Sequence, residues 1–129
     1  MNLILKGLSV ITLSLGATVA LAAPAFLTTH NNTSEQSNAF IDGAPSPYPT
    51  LAHSTRQVYW NFVRLACYGH STNNKCSAVI KMATDTANPI ELGTVTMDTE
   101  TGDITPHQMS AKGYTFTVNG LGETTISKN

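Results

Sequence analysis

The sequence predicts a small all-β domain: an antiparallel meander sheet of five or six strands with one hairpin disulfide, preceded by a signal peptide and a flexible linker. Three observations lead there. From Lys75 onward, short runs alternate apolar and polar residues and are separated by glycine- or proline-containing turns. The only two cysteines, Cys67 and Cys76, flank the polar stretch Tyr68 to Lys75. The first 22 residues carry the marks of export.

The leader is read from its three parts. Lys6 supplies the positive n-region, Gly7 to Val19 form an uncharged and mostly apolar h-region, and Ala20-Leu21-Ala22 is a small-x-small cleavage signal. Cleavage after Ala22 fits best, because a cut after Ala23 would leave Pro24 next to the scissile bond. As an uncleaved anchor the stretch falls short of the ~20 apolar residues of a spanning helix. It is also interrupted by Gly7, Ser9, Thr12, Ser14, Gly16 and Thr18. No second stretch of membrane length follows, so no stable membrane span is expected after cleavage. The expected location is secreted or periplasmic, and there the cysteines meet an oxidising setting.

Residues 23–129 make one domain with a modest core. Their six Lys and Arg against eight Asp and Glu leave no basic block. That excludes an electrostatic nucleic-acid surface. Residues 23–54 read as an Asn/Ser/Pro-rich linker. Thr28 to Asn38 offers nothing apolar to bury, and Ala44-Pro45-Ser46-Pro47-Tyr48-Pro49 favours extended polyproline-II geometry. Phe40 and Ile41 are expected to pin part of it onto the domain.

The folded part is expected over residues 55–129. Gln57 to Tyr68 is rich in aromatic and β-branched residues and reads as a strand. A helix competes, with Val58, Phe62 and Leu65 at helical spacing. The next run, Lys75 to Thr84, places Cys76, Ala78, Ile80 and Met82 on one face. With Cys67 opposite Cys76, Leu65 meets Ala78 and Val63 meets Ile80, which favours the hairpin. Ile90 and Leu92 share a face, Val95 and Met97 resume it out of step, and a β-bulge at Gly93 follows. Asp98 to Asp103 is a turn with Gly102 at its positive-φ position. Ile104-Thr105 forms a very short strand. Tyr114, Phe116 and Val118 alternate in the penultimate strand, and Thr124, Ile126 and Lys128 in the last. A three-residue loop, Gly120 to Gly122, sets Ile126 beside Phe116.

Motifs for chemistry are sparse. A Cys67–Cys76 disulfide is the expected state, since the pair lacks the close spacing of a redox dithiol. His30, His53, His70 and His107 are scattered. A zinc site of His70 with both cysteines lacks a fourth ligand and needs reduced thiols. Asp98, Glu100 and Asp103 cluster as a solvated turn. No nucleophile elbow, zinc-protease motif or phosphate loop occurs, so no cofactor, metal or catalytic residue is expected. Asn31-Asn32-Thr33-Ser34 holds two overlapping glycosylation sequons. As a strand, Gln57 to Tyr68 would put Val58, Trp60 and Phe62 together as an aromatic surface, either covered by the N-terminal segment or open as a possible binding surface.

The stretch CYGHSTNNKCSAVIKMATDTANPIELGTVTMDTETGDITP and the tail GYTFTVNGLGETTISK resemble a class of small uncharacterised secreted proteins of intracellular gammaproteobacteria. The resemblance rests on the paired cysteines, the TGDITP turn and the VNG-x-GE-x-T-I hairpin, and it implies export from a bacterial cell. Because no catalytic motif is legible, the expected role is a non-enzymatic binding or effector-like domain for a protein or envelope ligand. The alternatives are a small secreted hydrolase or hydrolase inhibitor, and a surface-assembly subunit that adds strands edge to edge.

Overall fold

In the computed structural model, described over residues 22–129, eleven strands and one short helix enclose a single apolar core. The expected leader, residues 1–22, lies almost wholly outside the described residues. The strands are β1 (Phe26–Asn31), β2 (Ser37–Ile41), β3 (Ala44–Pro45), β4 (Ser54–Tyr59), β5 (Ser71–Thr72), β6 (Lys75–Met82), β7 (Ile90–Asp98), β8 (Ile104–Thr105), β9 (Gln108–Ala111), β10 (Tyr114–Gly120) and β11 (Glu123–Lys128); the helix, α1, spans Trp60–Cys67. The all-β class holds. The strands divide between two sheets, β4-β1-β11-β10-β9 and β3-β2-β6-β7-β8 with β5 on β6, rather than forming one meander.

The second half of the chain follows its alternation. Cys76, Ala78, Ile80 and Met82 of β6 are buried, and β7 buries Leu92, Val95 and Met97. The bulge falls where the pattern slips: Ile80 faces Gly93, but Lys81 faces Glu91, leaving Leu92 as the extra residue. A Cβ on Gly93 would meet the Met109 sulfur at 2.6 Å, so this glycine also admits the other sheet. Phe116 pairs with Ile126 as expected. The connection is one residue tighter, because Gly120 already faces Glu123 and Asn119 bulges out. In the Asp98 turn, the carboxylate accepts the N–H groups of Glu100 and Thr101, and Gly102 has φ +84°.

The linker expected over residues 23–54 is not a linker. β1 lies between β4 and β11, pairing antiparallel with the former and parallel with the latter. β2 lies between β3 and β6. Polar composition misled because these polar groups are spent inside the fold. Asn31, wholly buried, donates to the carbonyls of Glu35, Thr50 and Leu51 and accepts from the Thr33 N–H and hydroxyl. Such a satisfied buried amide stabilises a connection that has few apolar groups to bury. Asn31 is therefore not available as a glycan acceptor in the folded protein.

The second correction concerns Gln57 to Tyr68. The chain is β-strand only as far as Tyr59 and then turns directly into α1. Trp60, Val63 and Cys67 form the buried stripe at helical spacing. The hairpin register that set Leu65 against Ala78 is therefore absent. The disulfide exists, but it ties the last residue of α1 to β6. The small hairpin beside it is β5–β6, closed by Asn73-Asn74, both at positive φ, with Ser71 opposite Cys76.

Candidate functional site

Val58, Trp60 and Phe62 do not share a face, because the strand-to-helix junction rotates each of them differently. Trp60 is 3% exposed, and its indole N–H donates to the Thr99 carbonyl at 2.9 Å. Its backbone N–H donates to Ala25, whose segment Ala23–Ala25 lines a hollow with Tyr59 and Trp60. Trp60 is thus a core residue beside the N-terminal segment and not part of a binding surface. Val58 is half-buried and Phe62 is 44% exposed; both line a cavity between the sheets.

That cavity has a volume of about 100 Å³. Its deep wall is the buried core itself, with Ala78, Val95, Ile104, Phe116 and Ile126 drawn from both sheets. The solvent-reaching lining residues define the mouth: Arg56 of β4, Phe62 and Ala66 of α1, and half-buried Tyr48. Three local features build this mouth. The helix begins immediately after β4, so Phe62 stands over the sheet edge. The proline strip folds back as a strap: Ser46 donates its N–H to Ala39, Asn38 donates to the Ser46 carbonyl, and Thr50 exchanges two backbone hydrogen bonds with Ser37. Finally, Tyr48 stacks on Phe62.

The aromatic side chains continue outward from the mouth. Phe62 meets Tyr59 edge to face at 5.8 Å, and Tyr59 lies 5.0 Å from Phe26. Arg56 donates to the Pro49 carbonyl at 3.1 Å, with its guanidinium 5.5 Å from the Tyr48 ring centre. Sequence reasoning reached Val58 and Phe62 and missed Tyr48 and Arg56. The available signal was a lone tyrosine between prolines, a rigid way to present an aromatic ring.

Other polar groups gather in pairs. His30 bridges Thr55 at 2.9 Å and Glu123 at 3.0 Å across β4, β1 and β11. This places a hydroxyl, an imidazole and a carboxylate in line, outside the cavity. His70 contacts Asp42, and His107 contacts Asp103 at 3.1 Å. Among the described residues, no three His, Cys, Asp or Glu side chains converge as metal ligands. Burial pushes the Asp98 carboxyl up, but the Glu100 and Thr101 N–H groups and the Lys75 ammonium at 3.3 Å outweigh it and hold its pKa below the usual value. Burial, and then the hydrogen bond to Glu35, push the Tyr114 phenol above its usual value.

The family model for the type II secretion substrate NttC matches the chain over residues 1–129. The chain belongs to the NttC family. The crystal structure of the Legionella pneumophila type II secretion system substrate NttC is 68% identical, covers 83% of this chain and 100% of its own, and superposes with a TM-score of 0.81. No match occurs among the curated proteins. NttC membership makes this an exported protein, secreted or periplasmic, and places it in a family with a member from an intracellular gammaproteobacterium.

Proposed function

We propose that the protein is a non-enzymatic binding domain, exported by type II secretion, that holds an apolar group of its ligand in the cavity between the two sheets. The observation that supports this reading is the cavity: an apolar hollow reaching the core, with a mouth framed by Tyr48, Phe62 and Arg56. Protein interiors are packed nearly without voids, and an apolar void forfeits contacts its walls would otherwise make. The mouth is rigid, strapped by proline and cross-linked by an aromatic stack, which lowers the ordering cost of binding. The export route is supported by the description of the family, whose Legionella pneumophila member is a type II secretion substrate.

The test is methyl NMR on the mature, oxidised protein against small apolar compounds. Binders are expected to shift the Ile104 and Ile126 methyls. Ala66→Trp, at the exposed rim, is expected to abolish those shifts without unfolding the domain. Shifts that persist in Ala66→Trp would remove the cavity from consideration. Peptidase, esterase and glycosidase screens should give no turnover. Activity lost on Thr55→Ala or His30→Ala would replace the binding reading with a hydrolase built on that line.

A further inference from the structure

We infer that the ligand is a small anionic amphiphile: a short alkyl or single-ring body held in the cavity, with a carboxylate on Arg56. The inference rests on the cavity reading above and adds the chemistry of the occupant.

The charge of the site carries the argument. Of all the residues that line the cavity, Arg56 alone is charged. No carboxylate among the described residues lies within ion-pair distance of it, whereas Lys75 and Lys128 do meet acidic partners. A guanidinium has five N–H donors. Here the structure commits one to the Pro49 carbonyl, which fixes the side chain at the rim and leaves the rest of its donor fork free. The Tyr48 ring beneath it adds a second constraint on its position. A held guanidinium with open donors matches a carboxylate in shape as well as in sign. A cationic head would be repelled at the same point.

Size sets the body. A cavity of about 150 Å³ lined by aliphatic side chains stays dry and accepts one benzene, whereas drug-sized ligands occupy about 300–1,000 Å³. At about 100 Å³ with an open mouth, this hollow takes a short chain or the edge of one ring. A long acyl tail exceeds it. The walls offer Ile, Val, Ala, Met and Phe side chains in depth; the Ser, Thr and Asn side chains in the lining are Ser37, Asn38, Ser46 and Thr50 on the strap side and Thr29 and Thr124 on β1 and β11. The charged group thus stands at the exposed rim while apolar side chains predominate in depth, as an amphiphile requires.

The experiment compares hexanoate, hexanol and hexylammonium on the full mature protein by methyl NMR titration, with wild type, Arg56→Gln and Arg56→Lys. Hexanoate is expected to bind about five- to tenfold more tightly than hexanol, within the range of a partly exposed charge-assisted contact. Hexylammonium should be the weakest, and added salt should narrow the spread. Arg56→Gln should bring hexanoate to the level of hexanol, and Arg56→Lys should restore part of the difference. Arg56 is exposed, so the amide spectrum of each variant should remain that of the folded protein. Equal binding of hexanoate and hexanol, unchanged in Arg56→Gln, would overturn the anionic ligand and leave the cavity reading standing. Hexanoate shifts confined to the rim, absent at Ile104 and Ile126, would overturn it as well. Failure of all three probes to move any cavity methyl would overturn both readings.

Discussion

Tyr48 stacks on Phe62 with ring centroids 6.0 Å apart and planes inclined by only 9°. The contact joins the proline strip to the helix across the cavity mouth. It makes the strip part of the site, although its composition reads as a spacer. Such pairs contribute about 0.5–1.5 kcal/mol beyond their buried area. A double-mutant cycle with Tyr48→Ala and Phe62→Ala, read by urea unfolding, is expected to return a coupling energy in that range. A coupling near zero would mean that the rings merely lie side by side.

Trp60→Ala should act on stability. Deleting a buried tryptophan costs about 3–5 kcal/mol, and here it also leaves the Thr99 carbonyl without the indole donor. Trp60 is the only tryptophan, so the loss is best followed by far-ultraviolet circular dichroism during urea unfolding. A change below about 1 kcal/mol would contradict the burial described for it.

Reduction of the Cys67–Cys76 disulfide is expected to lower stability by about 2–3 kcal/mol, the loss of loop-closure entropy for so short a loop. Thiol titration of the native protein should find no free cysteine. Because the bond anchors the helix, reduction should also weaken ligand binding at Phe62 and Ala66.

Asn31→Ala is expected to cost about 1–3 kcal/mol, since it leaves the buried Thr33 N–H without an acceptor and takes one of two donors from each of the Glu35, Thr50 and Leu51 carbonyls. Asn31→Asp should be no better, because a carboxylate cannot donate to those carbonyls. The shift in urea midpoint measures both. An effect as small as that of a surface substitution would show that water replaces the lost partners.

The pH profile of stability should fall away on both sides. Asp98 has a lowered folded pKa, so its contribution is full above the usual carboxylate value, near 4, and is lost as the pH falls through the folded value. Tyr114 has a raised folded pKa, so its contribution is full below about 10 and is lost as the pH rises toward the folded value. Asp98→Asn should flatten the acid limb and Tyr114→Phe the alkaline limb, as read from melting temperature against pH.

The legible part of the fold was the part written in apolar alternation. β6, the Gly93 bulge, the Asp98 turn and the pairing of Phe116 with Ile126 each follow from which side chains need burial. β1 and β2 were not legible, because their segment spends amide and hydroxyl groups on the interior, and a count of apolar residues does not register that. At Trp60 the sequence offered a strand and a helix with comparable apolar patterns. A hairpin register that happened to align Cys67 with Cys76 decided wrongly between them. The site was half visible for the same reason. Phe62 stood out as a large apolar residue, whereas Tyr48 and Arg56 acquire meaning only once the strap folds back over the mouth.

The parallel pairing of β1 with β11 joins Thr28 to Glu123 and Asn31 to Ile126, at opposite ends of the chain. A polypeptide that crosses a membrane front end first therefore delivers β1 long before its neighbour. Until the final strand emerges, one edge of β1 stays unpaired and the sheet has no centre. The sheet is complete only once its last strand is paired, and truncation of that strand removes the element that joins β1 to β10, however many residues precede it.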